Sequence, residues 1–189
     1  LGLITAFLTF FVVLEVLKRK LGISPEITRR LAHIGSGLLC WLDYVLLGKG
    51  TFLLLMLSGI AFIVISYRFK LFTSVHNVSR RTHGEIYLAL GQTATFLVSL
   101  VEPDVFVPAL LIITFADSFA GLTSDLMRQP RKIWLGSAVF FVTAFAVLLP
   151  FGVPPLQALG VAAITTAVER LSKRGSDNLT VPIAAAVLL

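Results

Sequence analysis

Long apolar runs separated by short charged clusters set the pattern of this chain. The runs fall at 1–17, 31–48, 51–67, 84–101, 105–126, 134–152, 154–169 and 179–189. A membrane-crossing helix needs about 20 predominantly apolar residues, with a range near 17–25. The first six runs reach or approach that length, the seventh is short and rich in alanine, and the eighth is shorter still. Their continuity favours helices over barrel strands, in which polarity alternates from residue to residue. The pattern predicts an all-α, polytopic integral membrane protein of seven to eight transmembrane helices, forming a single helical domain over 1–189. A start on Leu1 and a stop inside an apolar run lead us to expect a trimmed fragment. The first run lacks a basic leader and a small-residue cleavage site, so it reads as a span and not a signal peptide.

The polar positions are ordered too. Lys18, Arg19, Lys20, Arg29 and Arg30 lie between the first two runs, and Arg68, Lys70, Arg80 and Arg81 between the third and fourth. Arg128, Arg131 and Lys132 follow the fifth, and Arg170, Lys173 and Arg174 follow the seventh. Fifteen of the 16 Lys and Arg residues therefore share one side, and only Lys49 falls on the other. The positive-inside rule makes the basic side cytoplasmic and places the N-terminus outside. The loop after the third run is the longest. If helical, it would set Phe69, Phe72, Val75 and Val78 against Arg68, Lys70 and Arg80 and lie on the membrane surface. His76 and His83 in or beside it read as solvated.

Composition narrows the classes. The chain is 57% hydrophobic and 14% charged with a mean hydropathy of +0.92, whereas soluble domains are nearer a quarter charged. The net charge of +6 would suggest nucleic acid in a soluble protein. Here the positive charge flanks membrane spans, and no nucleic-acid partner is expected. The single cysteine, Cys40, excludes an internal disulfide, and one Cys with three His cannot build a zinc cluster.

Against this background Asp117 stands out, a carboxylate following the apolar run from Pro108 to Phe115. An ionisable group at membrane depth costs about 2.5–3.5 kcal/mol on insertion scales and marks a functional site by default. Asp117, Gly121 and Asp125 recur at every fourth residue and share a helix face. A helix–helix hydrogen-bonding role is the plainer alternative. Four further clusters belong to the same basic side. Ser24-Pro25-Glu26 signals a helix start, and Glu26, Arg29, Arg30 and His33 then form one stripe. The arginines could pair with Glu26 and still present donors to phosphate, while Gly35 and Gly37 admit a close neighbour. Arg80 and Arg81 precede Gly84-Glu85 at another helix N-terminus, an anion-attracting place. Lys132, after the helix-breaking Pro130, leads into Gly136-Ser137. Asp177 and Asn178 have the look of an N-cap and are also oxygen ligands of a kind magnesium accepts. No Walker A loop, nucleophile elbow, HExxH or Rossmann glycine pattern is present. Acids, arginines, a lysine and small residues on one side are the inventory that phosphoryl or nucleotidyl transfer needs.

The ordered set Glu26-x-x-Arg29-Arg30-x-x-His33, Gly84-Glu85-Ile86-Tyr87 with Gly91, Ala116-Asp117-Ser118-x-Ala120, Lys132-x-x-x-Gly136-Ser137, and Glu169 with Asp177-Asn178-Leu179-Thr180-Val181-Pro182 resembles the CTP-dependent membrane lipid kinase family. That family includes dolichol kinase, phytol kinase and the yeast-type diacylglycerol kinase, and is related to the phosphatidate cytidylyltransferases. The resemblance implies transfer of the CTP γ-phosphate, or that of another nucleotide, to a lipid alcohol with Mg2+ as cofactor. It implies catalytic roles for Asp117, Lys132 and His33, and phosphate contacts from Arg29, Arg30, Arg81, Gly136 and Ser137. It makes Asp117 and Asp177 metal ligands, with Glu26, Glu85, Asp125, Glu169 and Asn178 as further candidates. Ala116, Ile133 and Leu135 depart from the family pattern, which has Gly, Ser and Glu there. The expected partners are the nucleotide, the lipid alcohol and membrane lipids, with a homo-oligomer open. A CDP-lipid-forming cytidylyltransferase is the nearest alternative and a non-catalytic transporter the alternative from another class. Transport is disfavoured because the polar clusters sit at one face and no internal repeat is visible.

Overall fold

The computed structural model describes residues 2–69, 84–129 and 132–189, which form eight helices and no strand. They are α1 (Gly2–Leu21), α2 (Pro25–Leu46), α3 (Lys49–Phe69), α4 (Gly84–Val98), α5 (Pro103–Leu126), α6 (Trp134–Leu148), α7 (Pro155–Leu171) and α8 (Asp177–Leu188). The charged and proline-bearing breaks of the sequence become the helix boundaries. At the start of α2, Ser24 Oγ accepts from the Ile27 amide at 3.3 Å, satisfying one of the free first-turn donors. Pro155 opens α7, where its missing N–H costs nothing. Between α7 and α8 the chain reverses through Arg174 and Gly175, both at positive φ, which brings Asp177 back beside the end of α7.

Two helical stretches, Pro103–Leu126 and Trp134–Phe151, are long and apolar enough to cross a membrane, while Lys49–Ile65 and Asp177–Leu188 are shorter apolar helices. The all-helical character expected from hydropathy is found among the described residues, and two of the helices are long and apolar enough to cross a membrane. Large apolar side chains such as Val45, Leu54, Val101, Val142, Leu156 and Val187 face outward, as on helices surrounded by hydrocarbon rather than water.

The bundle is built around α5, which packs against α2, α4, α6 and α8. Most of α5 is buried, whereas much of Trp134–Phe151 is exposed, so α5 is the axis. The main core gathers Ile112, Ile113 and Ala116 of α5 with Phe140 and Ala144 of α6, Val161 of α7 and Val181 of α8. A second cluster places Phe52, Phe96 and Phe106 around Tyr44 in edge-on or tilted contacts. Within α5, Ile112–Asp117 widens into a π-helical turn. Such turns represent one extra residue in an α-helix and are frequent at functional sites. This one ends on Asp117.

Candidate active site

Four helices and the segment before α6 bring a cluster of charged residues together. From α2, Arg30 crosses to α5, with Nη1 3.5 Å from Asp117 Oδ2 and Nε donating to Asp125 Oδ2 at 3.1 Å. Gly121 lies between the two acids on the same face, and a side chain there would strike the Arg30 guanidinium. The every-fourth-residue spacing of Asp117, Gly121 and Asp125 thus makes a slot for one arginine. Arg30 does not turn to Glu26, which is exposed. One turn further along α2, His33 Nε2 lies 3.1 Å from the Ile113 carbonyl within the π turn.

The second half of the site comes from the segment before α6 and from the ends of α7 and α8. Lys132 Nζ is 2.6 Å from Glu169 Oε1 and 2.8 Å from Asp177 Oδ2, and also donates to the Glu169 carbonyl. Burial lowers the Lys132 pKa, but the two carboxylates outweigh it and hold the ammonium above its ordinary value. Asp177 Oδ1 accepts from the Asn178 amide at 3.1 Å, so its remaining oxygen serves Lys132. The N-cap position of α8 is Ser176, and Asp177 is the first helical residue. Asn178 Nδ2 donates to the Gly84 carbonyl at 2.9 Å and ties α8 to the start of α4.

The halves meet at three buried carboxylates. One oxygen from each of Asp117, Glu169 and Asp177 lies within 4.8 Å of the others. This is close to the roughly 4 Å span of opposite oxygens around a magnesium ion, and carboxylates are the hard ligands that ion prefers. The directly paired cluster holds four acids (Asp117, Asp125, Glu169 and Asp177) against two bases, Arg30 and Lys132. That leaves room for a divalent cation's charge. Two buried oxygens, Ser118 Oγ and Asn178 Oδ1, have no hydrogen-bond partner among the described residues, and each follows a triad acid in sequence. The donor set and its charge fit magnesium.

A protein named phytol kinase from Synechocystis sp. is 31% identical over 208 aligned positions, covering 99% of this chain and 88% of that protein. The chain belongs to the phytol/dolichol kinase family. No family model and no solved structure matches it.

Of the candidate positions read from the sequence, the structure gathers Asp117, Asp125, Glu169, Asp177, Lys132, Arg30 and His33 around α5. Arg29 is half-buried on α2. Glu85 is half-buried in the first turn of α4. Arg81, with the surface-helix expectation and His76 and His83, lies outside the described residues. Gly136 packs against α5, where a side chain would meet the Ala120 carbonyl at 3.1 Å and Ser124 Oγ at 3.2 Å. Gly35 and Gly37 face the side chains of Phe10 and Thr114. Ser137 Oγ accepts from Arg170 Nη1 at 3.0 Å. Arg170, which also lies 3.7 Å from the Trp134 ring centre, is the nearby residue that sequence reasoning counted only as loop charge. Its one sequence signal is its position directly after Glu169.

Proposed function

We propose that this protein is a membrane-embedded kinase transferring the γ-phosphate of CTP, or of another nucleoside triphosphate, to a lipid alcohol such as a polyprenol, phytol or diacylglycerol. The buried triad of Asp117, Glu169 and Asp177 carries this reading, set as it is in a chain related over nearly its full length to a phytol kinase. Glu169 and Asp177 would hold Mg2+ with Asp117. The ion, when bound, would supply positive charge to the transferring phosphoryl group. Lys132 offers a second cation beside the same carboxylates. Asp117, oriented by Arg30, takes the proton of the acceptor hydroxyl. The hydroxyl oxygen then bonds to the γ-phosphorus, the bond from that phosphorus to its bridging oxygen breaks, and the nucleoside diphosphate leaves. His33 fixes the π turn that ends on Asp117. The excess of basic residues in the loops on one side supports a site that faces the cytoplasm.

Radiolabel separates the readings. With the chain in lipid vesicles, γ-labelled CTP should label the extracted lipid alcohol and α-labelled CTP should not. Label from α-CTP would mean a cytidylyltransferase, and no label from any nucleotide would remove both. Asp117→Asn should abolish transfer while leaving membrane insertion intact.

A further inference from the structure

The arginines around the triad differ in how they are held. Arg30 faces two carboxylates, so its charge is met within the protein. Arg170 has no carboxylate partner among the described residues. It is nevertheless fixed at two points: its guanidinium carbon lies 3.7 Å from the Trp134 ring centre, and Nη1 donates to Ser137 Oγ at 3.0 Å. Stacking on an indole and one neutral hydrogen bond hold a guanidinium in place without neutralising it. Among the described residues the other four of its five N–H donors meet no acceptor. It adjoins the site along the chain. Glu169, the preceding residue, belongs to the carboxylate triad, and Lys132, two residues before Trp134, bridges Glu169 and Asp177.

We propose that Arg170 is a binding residue for the polyphosphate of the nucleotide, with Trp134 and Ser137 as the positioning residues that hold its guanidinium toward that anion. This rests on the kinase reading above and adds to it the group that grips the donor. A planar fork with unspent donors suits two phosphate oxygens at once. An arginine beside an outward-facing tryptophan could equally grip a lipid phosphate at the membrane surface, so the test separates nucleotide from lipid.

In vesicles of neutral lipid, Arg170→Ala should raise KM for CTP roughly ten- to a hundred-fold, the loss expected for charge-assisted hydrogen bonds, with KM for the lipid alcohol unchanged. Arg170→Lys should recover part of the loss, because charge remains and the fork does not. Trp134→Leu should raise the same KM by a smaller factor while leaving kcat within about two-fold, a split that a general structural role would not give. A second arm uses the wild-type chain and needs no turnover. Phenylglyoxal modification at Arg170, read by mass spectrometry, should be suppressed by CTP with Mg2+ and not by vesicles containing an anionic phospholipid. Unchanged KM for CTP in Arg170→Ala, or protection by the phospholipid and not by CTP, would overturn the assignment. If no lipid becomes labelled while CTP still protects Arg170, the kinase reading fails and the nucleotide contact stands.

Discussion

At the scale of single residues, the spacing of Asp117, Gly121 and Asp125 reads directly from the sequence, but the partner of that face does not. Local spacing pairs Arg30 with Glu26 at four residues' separation, and the folded chain sends it to α5 instead. Buried carboxylates without a countercharge are far more costly than an exposed Glu26, so the arginine goes where the need is greater. Two glycines test this view because their neighbours differ. At Gly121 a methyl group would meet the flexible end of Arg30, and at Gly91 the backbone of Asn178 and Leu179. Gly121→Ala should therefore leave the helix backbones in place, lose some thermal stability through the displaced Arg30 ion pairs, and lose transfer activity ten-fold or more. Gly91→Ala should destabilise the protein by about 1–3 kcal/mol, because α8 itself must move. Denaturation of both variants beside their activities checks the contrast. Lys132 gives a pH prediction. Its pKa is raised above the ordinary 10.5, so the charged form is favoured on folding. Its stabilisation is full below 10.5 and lost as pH climbs past the raised value. Melting temperature should fall on that alkaline limb, and the fall should be shallower in Lys132→Met.

The helices were legible as elements because their ends carry strong local signals. The expected run of 105–126 corresponds to α5 (Pro103–Leu126), and Ser24-Pro25-Glu26 does open α2. Replacing Ser24 with Ala should lower stability by about 1 kcal/mol through the lost cap, measurable as a reduced melting temperature with KM values unchanged. The π turn at Ile112–Asp117 was not legible. It lies in a mostly apolar stretch, where an inserted residue changes the hydrophobic pattern little and no glycine or proline falls within the turn. Asp177 was ambiguous for a related reason. An acid at a helix start fits both a cap and a ligand, and only the approach of Lys132 from another segment shows where its Oδ2 points.

At the scale of the whole molecule, the one-sided charge and the packing lead to one test of orientation. In a Cys40→Ala background, Lys49→Cys should react with a membrane-impermeant thiol reagent added to intact cells. Lys173→Cys should react only after permeabilisation, and the reverse labelling would turn the site outward. The sequence by itself determined that the chain is helical and apolar, and it led us to expect 15 of its 16 Lys and Arg residues on one side. Those properties depend on composition and on neighbours within a few turns. Tertiary structure alone decided that Asp117, Glu169 and Asp177 converge, because they come from α5, α7 and α8, 60 residues apart along the chain at their widest. It also decided that Lys132 and Arg30 are engaged by carboxylates while Arg170 is held by an indole and a hydroxyl. Ionic partners inside a bundle are chosen by burial and by which helix ends pack together, and sequence spacing carries neither.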